Sequence, residues 1–372
     1  MNTPLYVEVT ALLPRHFTGI GRFIARLLIE LAEQTPLRLT ATIDRDTAAR
    51  WNVRTTLCGR DIPLTAANRP RTTDLRTWVD ELLALPSEPH NPAHARQCSM
   101  LYTYLRPPTR HYRRELAIVY DFTPILLPQF QDEHTRRNFA ASFRALPLCD
   151  TIFAISEATK RDATLLTTAN PASIWVQYPG PSQCVHDHAH PGPLRRRDDL
   201  IVVVATLEPR KNAQFVLDWF LHSRVVPPQM KLCWVGPPGW MPAWGQPPPI
   251  SDRVLFPGVV SDAALCRLYR EATFTIYPSL YEGFGFPVLD SLWHGCPVAC
   301  SYNSALMEFQ TPGVYYFDPG DASTLDEACR QLLAEREALV IANHDLRQRF
   351  SWSALAQAVR RAAGGEVLAC AS

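Results

Sequence analysis

The chain has 372 residues, more than one compact core ordinarily holds, and is 47% hydrophobic and 20% charged. That length and balance exclude a fibrous or disordered chain and point to two domains or one large one. With 37 basic and 36 acidic residues, no broad field draws nucleic acid or an anionic membrane surface, and any anionic ligand has to be caught locally.

Short β-rich runs alternate with amphipathic helical runs, the pattern of parallel sheets joined by crossover helices, so the fold class is α/β. The first strand, Leu5 to Val9, is separated by Thr10 to Thr18 from a helix in which Ile20, Phe23, Ile24, Leu27, Leu28 and Leu31 recur at the spacing of one buried face. Strands follow at Leu37 to Ile43, Ser99 to Tyr104, Leu116 to Tyr120, Thr151 to Ile155 and Ser173 to Gln177. Asp44-Arg45-Asp46 has the two-carboxylate spacing of a metal-binding pair, but so short a match is common by chance, and a polar loop is the better reading.

Tyr178-Pro179-Gly180-Pro181 opens a polar stretch, rich in histidine and arginine, that runs to Asp199 and has the composition of a linker. This places a first domain at 1–182, a linker at 183–199 and a second domain at 200–350, with the C-terminal helix, 351–372, rejoining the first domain. Cys184, His186, Asp187, His188 and His190 are residue types that ligate zinc or nickel, but their linker-like neighbours favour an exposed, metal-free stretch.

The second half offers strands at Leu200 to Ala205, Met230 to Val235, Arg253 to Phe256, Phe274 to Tyr277, Pro297 to Ser301 and Val314 to Phe317. Gly236 to Ile250 reads as a long proline-rich loop. Ser261 precedes a helix carrying Leu265, Leu268 and Tyr269. Leu325, Cys329, Leu332 and Leu333 mark another, for which Thr324 and Glu327 make a capping-box start. Two similar strand-helix sets around a linker suggest two doubly wound domains facing each other, with the ligand in the cleft at the carboxyl ends of the strands.

No basic start followed by an apolar run opens the chain, and runs such as Ile201 to Ala205 are far too short to span a bilayer. The 10 cysteines include no C-x-x-C pair. Reduced, buried thiols in a cytosolic protein are therefore expected, over a disulfide scaffold.

Two segments carry chemistry. Pro278-Ser279-Leu280-Tyr281-Glu282-Gly283-Phe284-Gly285-Phe286-Pro287-Val288-Leu289-Asp290 follows a strand and opens a helix, with Pro287 suited to the first helical position. Gly283 and Gly285 let backbone approach a ligand, the helix start favours a diphosphate, and Glu282 and Asp290 can accept hydroxyl hydrogen bonds from a sugar or ribose. A glycine-rich turn with a helix-dipole aspartate is the plain alternative. The other segment, Thr206-Leu207-Glu208-Pro209-Arg210-Lys211-Asn212, sets two cations at a strand end, where they can offset charge on a departing phosphate. A solvated helix start is its alternative. Lysine occurs only at 160, 211 and 231, so one inside such a segment stands out.

In this order the two segments resemble the retaining nucleotide-sugar glycosyltransferases of family four, which have the GT-B fold of two facing Rossmann-like domains. The likeness extends to Phe17-Thr18-Gly19-Ile20-Gly21-Arg22, Val119-Tyr120-Asp121-Phe122-Thr123-Pro124, Ile155-Ser156-Glu157, Pro257-Gly258-Val259-Val260-Ser261 and Cys296-Pro297-Val298.

The resemblance implies transfer of a hexose-type unit from a nucleoside diphosphate sugar, GDP-mannose or a UDP-hexose foremost, to a saccharide or lipid-linked acceptor, with retention and without a metal or other cofactor. It implies that Arg210 and Lys211 bind the donor diphosphate and Glu282 the sugar hydroxyls. Gly283, Phe284 and Gly285 would lie against sugar and phosphate, Val260 would join the donor site, and Asp290 would hold the ribose. Gly19 and Gly21 would form a first-domain loop closing on diphosphate and acceptor, with Asp121 orienting or deprotonating the acceptor. The family's second acidic residue is usually Glu where Asp290 stands, and its usual His is here Tyr120. A cytoplasmic enzyme of surface polysaccharide or glycoconjugate synthesis is expected, with peripheral contact at the membrane's cytoplasmic face and no nucleic-acid partner. A non-catalytic partner of the same fold is the first rival. A nicotinamide-dependent oxidoreductase is the second, disfavoured because Ile24 stands where the third glycine of Gly19-Ile20-Gly21 should fall.

Overall fold

The structure, a computed structural model, describes residues 3–14, 18–68, 70, 74–182, 199–239, 251–335 and 343–366. Phe17, the segment 183–198 with Cys184 and its acidic and histidine neighbours, and most of the 236–250 loop lie outside the described residues. By internal contacts the chain divides into two compact units, Met1–Gly180 with Phe350–Ser372, and Pro181–Arg349. Pro181 and Ser182 thus belong with the second unit, two residues before the boundary read from composition, because Ser182 is hydrogen-bonded to Asp290 there.

In the first unit the strands are β1 (Leu5–Glu8), β2 (Leu37–Thr40), β3 (Arg60–Leu64), β4 (Glu88–Pro89), β5 (Ser99–Tyr102), β6 (Arg114–Val119), β7 (Thr151–Ala154) and β8 (Ile174–Val176). They form one sheet in the order β4-β3-β2-β1-β5-β6-β7-β8. The pairs from β2 through β1 to β8 are parallel, while β3 and β4 add an antiparallel edge. That edge is absent from the sequence reading because Pro63 breaks the strand pattern; in the sheet Pro63 is exposed and lies past Arg60 and Asp61, the β3 residues that pair with β4, so only β2 adjoins it and a missing N–H is tolerated.

The helix Gly19–Gln34 buries Phe23, Ile24, Leu27, Leu28 and Leu31, the face set by their spacing. The helix Trp352–Gly364 belongs to the same unit: Trp352 meets the Phe23 ring edge-on at 5.0 Å, and Ser99 Oγ donates to the Ala363 carbonyl at 2.8 Å. A Cβ on Gly180 would collide with the Trp352 indole, so that position has to be glycine for the helix to seat.

Glu8 closes β1, fully buried, and its Oε1 accepts the Thr10 N–H at 2.7 Å. Burial pushes its carboxyl from 4.5 up to about 7, against the opposing pull of the Thr10 hydrogen bonds.

The second unit holds β9 (Leu200–Val204), β10 (Lys231–Val235), β11 (Val254–Gly258), β12 (Phe274–Tyr277), β13 (Val298–Ser301) and β14 (Val314–Phe317), in the order β11-β10-β9-β12-β13-β14. All pairs are parallel. Counted within the unit this is the doubly wound order 3-2-1-4-5-6, whose winding reverses between the first and fourth strands, here β9 and β12. Strand residues alternate between two apolar layers: Ile201, Val203, Leu232 and Trp234 pack on one side, and Leu200, Val202, Cys233 and Val235 on the other. A sheet covered on both faces explains why these strands are unbroken apolar runs.

The helix Ala322–Glu335 begins before the expected capping box. Asp321 supplies the cap, its Oδ1 accepting the Ser323 N–H at 2.9 Å, while Thr324 already lies inside the first turn. The described cysteines are all buried thiols. Among the described residues no helix is long and apolar enough to cross a membrane.

Candidate functional site

The two chemical segments leave the carboxyl ends of β9 and β12, the strands that flank the reversal, where doubly wound sheets open a ligand crevice. The Leu280 N–H donates to the Arg210 carbonyl at 2.9 Å, joining the two loops directly. The loop after β9 is braced from its other side by Trp234 Nε1 on the Ala205 carbonyl at 2.8 Å and by the Leu207 N–H on the Pro237 carbonyl at 3.1 Å. Pro209–Lys211 is a short 3₁₀ turn, and Asn212 adopts φ 53°, a left-handed conformation that asparagine tolerates, before the helix Ala213–His222. The Asn212 side chain is pinned to the Pro319 carbonyl at 2.8 Å.

Four charged side chains converge there. Arg210 donates from Nη1 to Glu282 Oε1 and to the Tyr281 carbonyl, each at 2.9 Å, and from Nη2 to Glu208 Oε1 at 2.9 Å. Lys211 Nζ donates to the same Glu282 Oε1 and to Tyr277 Oη at 3.1 Å, with its ammonium 5.3 Å from the Tyr277 ring centre. Burial pushes Glu282 up, but the Lys211 and Arg210 charges outweigh it and bring the carboxyl down to about 2. Burial and the neighbouring Arg210 lower the Lys211 pKa, an effect that Glu282 and Glu208 oppose. Two cations balanced by two carboxylates are thus gathered where β9 and β12 end, an arrangement that can take up charge developing on a phosphate.

Gly285 opens the next helix, Phe286–Trp293, at φ +110°, and an added Cβ would lie 2.5 Å from Leu306 Cδ2. Both facts require glycine there. Pro287 is the second helical residue, not the first, because Phe286 is already helical. Gly283 and Phe284 are buried, the Phe284 ring lying against Phe286 and Phe309. Asp290 is one turn into the helix and 1% exposed. Its Oδ1 accepts the Ser182 N–H at 2.8 Å and its Oδ2 the Ser182 hydroxyl. The structure therefore unites Arg210, Lys211 and Glu282, and sets Asp290 on a partner within the chain.

Val260 is half-buried beyond β11, its side chain packed on the Leu200, Val202 and Leu265 layer. Gly19 and Gly21 fall in the first turn of Gly19–Gln34 and not in a loop, because Thr18 caps that helix through the Gly21 N–H at 3.1 Å. Asp121, just after β6, accepts the Thr123 N–H at 2.8 Å. Asp44 caps the helix Arg45–Arg50 through the Thr47 N–H at 2.7 Å, so Arg45 and Asp46 are helical and not in the polar loop expected. Among the described residues no group of three or more His, Cys, Asp or Glu could hold a metal ion.

Three participants escape a reading of motifs. Glu208 is in the basic segment but looks like a flank until Arg210 folds back on it; Tyr277 looks like a strand end; Ser182 looks like linker. Only the first has a sequence signal, an acid two residues before an arginine at a strand end.

Residues 198–335 match the family model described as glycosyl transferases group 1. Among curated relatives, the O-antigen chain mannosyltransferase B of Escherichia coli is 30% identical over 164 residues, 40% of this chain and 41% of that protein. The MMP alpha-(1->4)-mannosyltransferase of Mycolicibacterium hassiacum is 32% identical over 131 residues, 32% of each chain. The chain thus spans about two fifths of the first and about a third of the second. Along its whole length the fold matches Anabaena HepE, solved in complex with UDP, at TM-score 0.64 and 14% identity, covering 98% of this chain and 100% of that one. WaaG, a glycosyltransferase involved in lipopolysaccharide biosynthesis, matches at TM-score 0.59 and 13% identity, covering 97% and 100%. Residues 198–335 are therefore similar to the glycosyl transferases group 1, and the fold of the chain is GT-B, as in these glycosyltransferase structures.

Proposed function

We propose that the protein is a retaining glycosyltransferase. It moves a hexose-type unit from a nucleoside diphosphate sugar to a saccharide or lipid-linked saccharide, in surface polysaccharide or glycoconjugate synthesis on the cytoplasmic side. The observation that carries this reading is the convergence of Arg210, Lys211 and Glu282 at the β9/β12 crevice, inside the segment that matches the family. A basic turn, Pro209–Lys211, stands after β9 where a nicotinamide enzyme would carry its glycine-rich turn.

In this mechanism Arg210 and Lys211 bind the diphosphate, and Glu282 trades part of its hold on them for the sugar hydroxyls. Backbone at Gly283 to Gly285 lies against sugar and phosphate, Asp290 accepts the ribose hydroxyls, and Val260 borders the donor. The bond from the anomeric carbon to phosphate oxygen breaks while the acceptor oxygen bonds to the same face. The acceptor proton passes to the leaving phosphate, with Asp121 orienting the hydroxyl and Gly19 and Gly21 in the acceptor-side unit. Two fixed cations supply the positive field that a metal provides elsewhere, so no cofactor is required.

The names of the sequence relatives make GDP-mannose the first donor to test, and the UDP bound by HepE makes UDP-hexoses the second. The test is thermal stabilisation by UDP, GDP, dTDP and CDP sugars, and by NAD, with and without EDTA, because a ligand that binds only the folded state raises Tm. One nucleotide class should stabilise equally in both conditions and be consumed on addition of acceptor. Stabilisation by NAD alone, or only with added Mn²⁺ or Mg²⁺, would overturn the reading, and donor binding without turnover would make the chain a non-catalytic partner.

A further inference from the structure

Asp290 is buried, and Ser182 meets both oxygens of its carboxylate: its N–H donates to Oδ1 at 2.8 Å and its hydroxyl donates to Oδ2. Ser182 is itself 6% exposed and stands where the chain enters the second unit. Two donors from one residue on the two oxygens of one carboxylate are the pattern that a vicinal diol presents. A buried carboxylate is costly without its donors, so a ligand can take it only by replacing them in kind.

We propose that Ser182 is a built-in competitor of the donor ribose for Asp290. In the ligand-free protein its N–H and O–H stand in for the two ribose hydroxyls, and donor binding exchanges one pair of donors for the other. This rests on the donor-site reading given above and adds a regulatory element to it. The short aspartate side chain fits the role, since it holds the carboxylate close to its helix, where Ser182 reaches it. Seating of Ser182 and tight ribonucleotide binding then exclude each other, and the preference for ribose over deoxyribose is muted in the parent protein.

The experiment is calorimetric titration of the parent, Ser182→Ala and Ser182→Thr with the nucleoside diphosphate that binds in the donor screen and with its 2′-deoxy counterpart. Hydrogen exchange at the Ser182 amide is followed alongside. Ser182→Ala should tighten the ribonucleotide on the order of tenfold, the equivalent of one charge-assisted hydrogen bond, and the 2′-deoxy form less, so that the ratio widens. Ser182→Thr, which keeps both donors, should match the parent, and the Ser182 amide of the parent should lose protection at saturating ribonucleotide. Equal effects of Ser182→Ala on both nucleotides, no effect on either, or an amide that stays protected at saturation would overturn the competitor role while leaving the donor site standing. Failure of every nucleoside diphosphate to bind the parent would overturn the donor site, and the competitor role with it.

Discussion

Glu282→Gln removes one charge from a partly buried group of four and tests what the carboxylate does before any ligand arrives. Burial would raise its pKa, yet Lys211 and Arg210 bring it down from 4.5 to about 2. A carboxyl depressed on folding binds its proton more weakly in the folded state. Its stabilisation is therefore complete above pH 4.5 and is lost as pH falls toward about 2. The interval between those two values corresponds to about 3 kcal/mol. Hydrogen exchange at core amides of β9, β10 and β12 reads this locally. The variant should lose about 3 kcal/mol of protection at pH 7, and the gap should narrow as pH falls to 3.5. Nucleoside diphosphate affinity should hold or rise, because the two cations lose a competing anion, while transfer falls. A gap that does not change with pH, or diphosphate affinity that falls along with transfer, would refute the assignment and leave Glu282 as a loop support.

Lys211→Ala should lower kcat on the order of 100-fold with little change in KM, since the charge it balances is larger in the transition state than in bound donor; parental turnover would make it a structural cation. Glu8 is the opposite case to Glu282. Its pKa rises on folding from 4.5 to about 7, so its stabilisation is full below 4.5 and is lost as pH climbs to about 7. Glu8→Gln should flatten that decline, measured by hydrogen exchange in β1 and β5 at pH 5 and 8, and an unchanged slope would clear Glu8 as its source. Gly285→Ala has to place a Cβ at φ +110° and 2.5 Å from Leu306 Cδ2. It should cost about 1–3 kcal/mol of second-unit stability together with donor affinity; parental Tm and affinity would show that the turn relaxes freely.

The second unit was the more legible half. Its strands are apolar on both faces, so each announces itself as an unbroken run, and the two loops that matter lie next to the strands that flank the winding reversal. Arg210, Lys211 and Glu282 could be picked out because charges at strand ends have few reasons to be there. Their mutual pairing could not, since it depends on β9 and β12 being neighbours although β10 and β11 intervene in sequence. Edge strands β3 and β4 escaped because Pro63 and a two-residue strand leave no periodicity to read. The family resemblance implies a loop at Gly19 and Gly21, whereas Thr18 caps a helix that already contains them. Ser182 escaped for a different reason: a serine among prolines and glycines has no pattern that foretells a carboxylate 108 positions away.

The central claim is that the cations at the β9/β12 crevice drive departure of a nucleoside diphosphate. Its most direct measurement is single-turnover release of diphosphate from radiolabelled donor, GDP-mannose first and UDP-glucose second, with an oligosaccharide acceptor mixture, in the parent and in Arg210→Ala/Lys211→Ala. The account predicts acceptor-dependent release by the parent and loss of the chemical step in the double variant, with its fold intact by hydrogen exchange. Release at the parental rate by a folded double variant would contradict it.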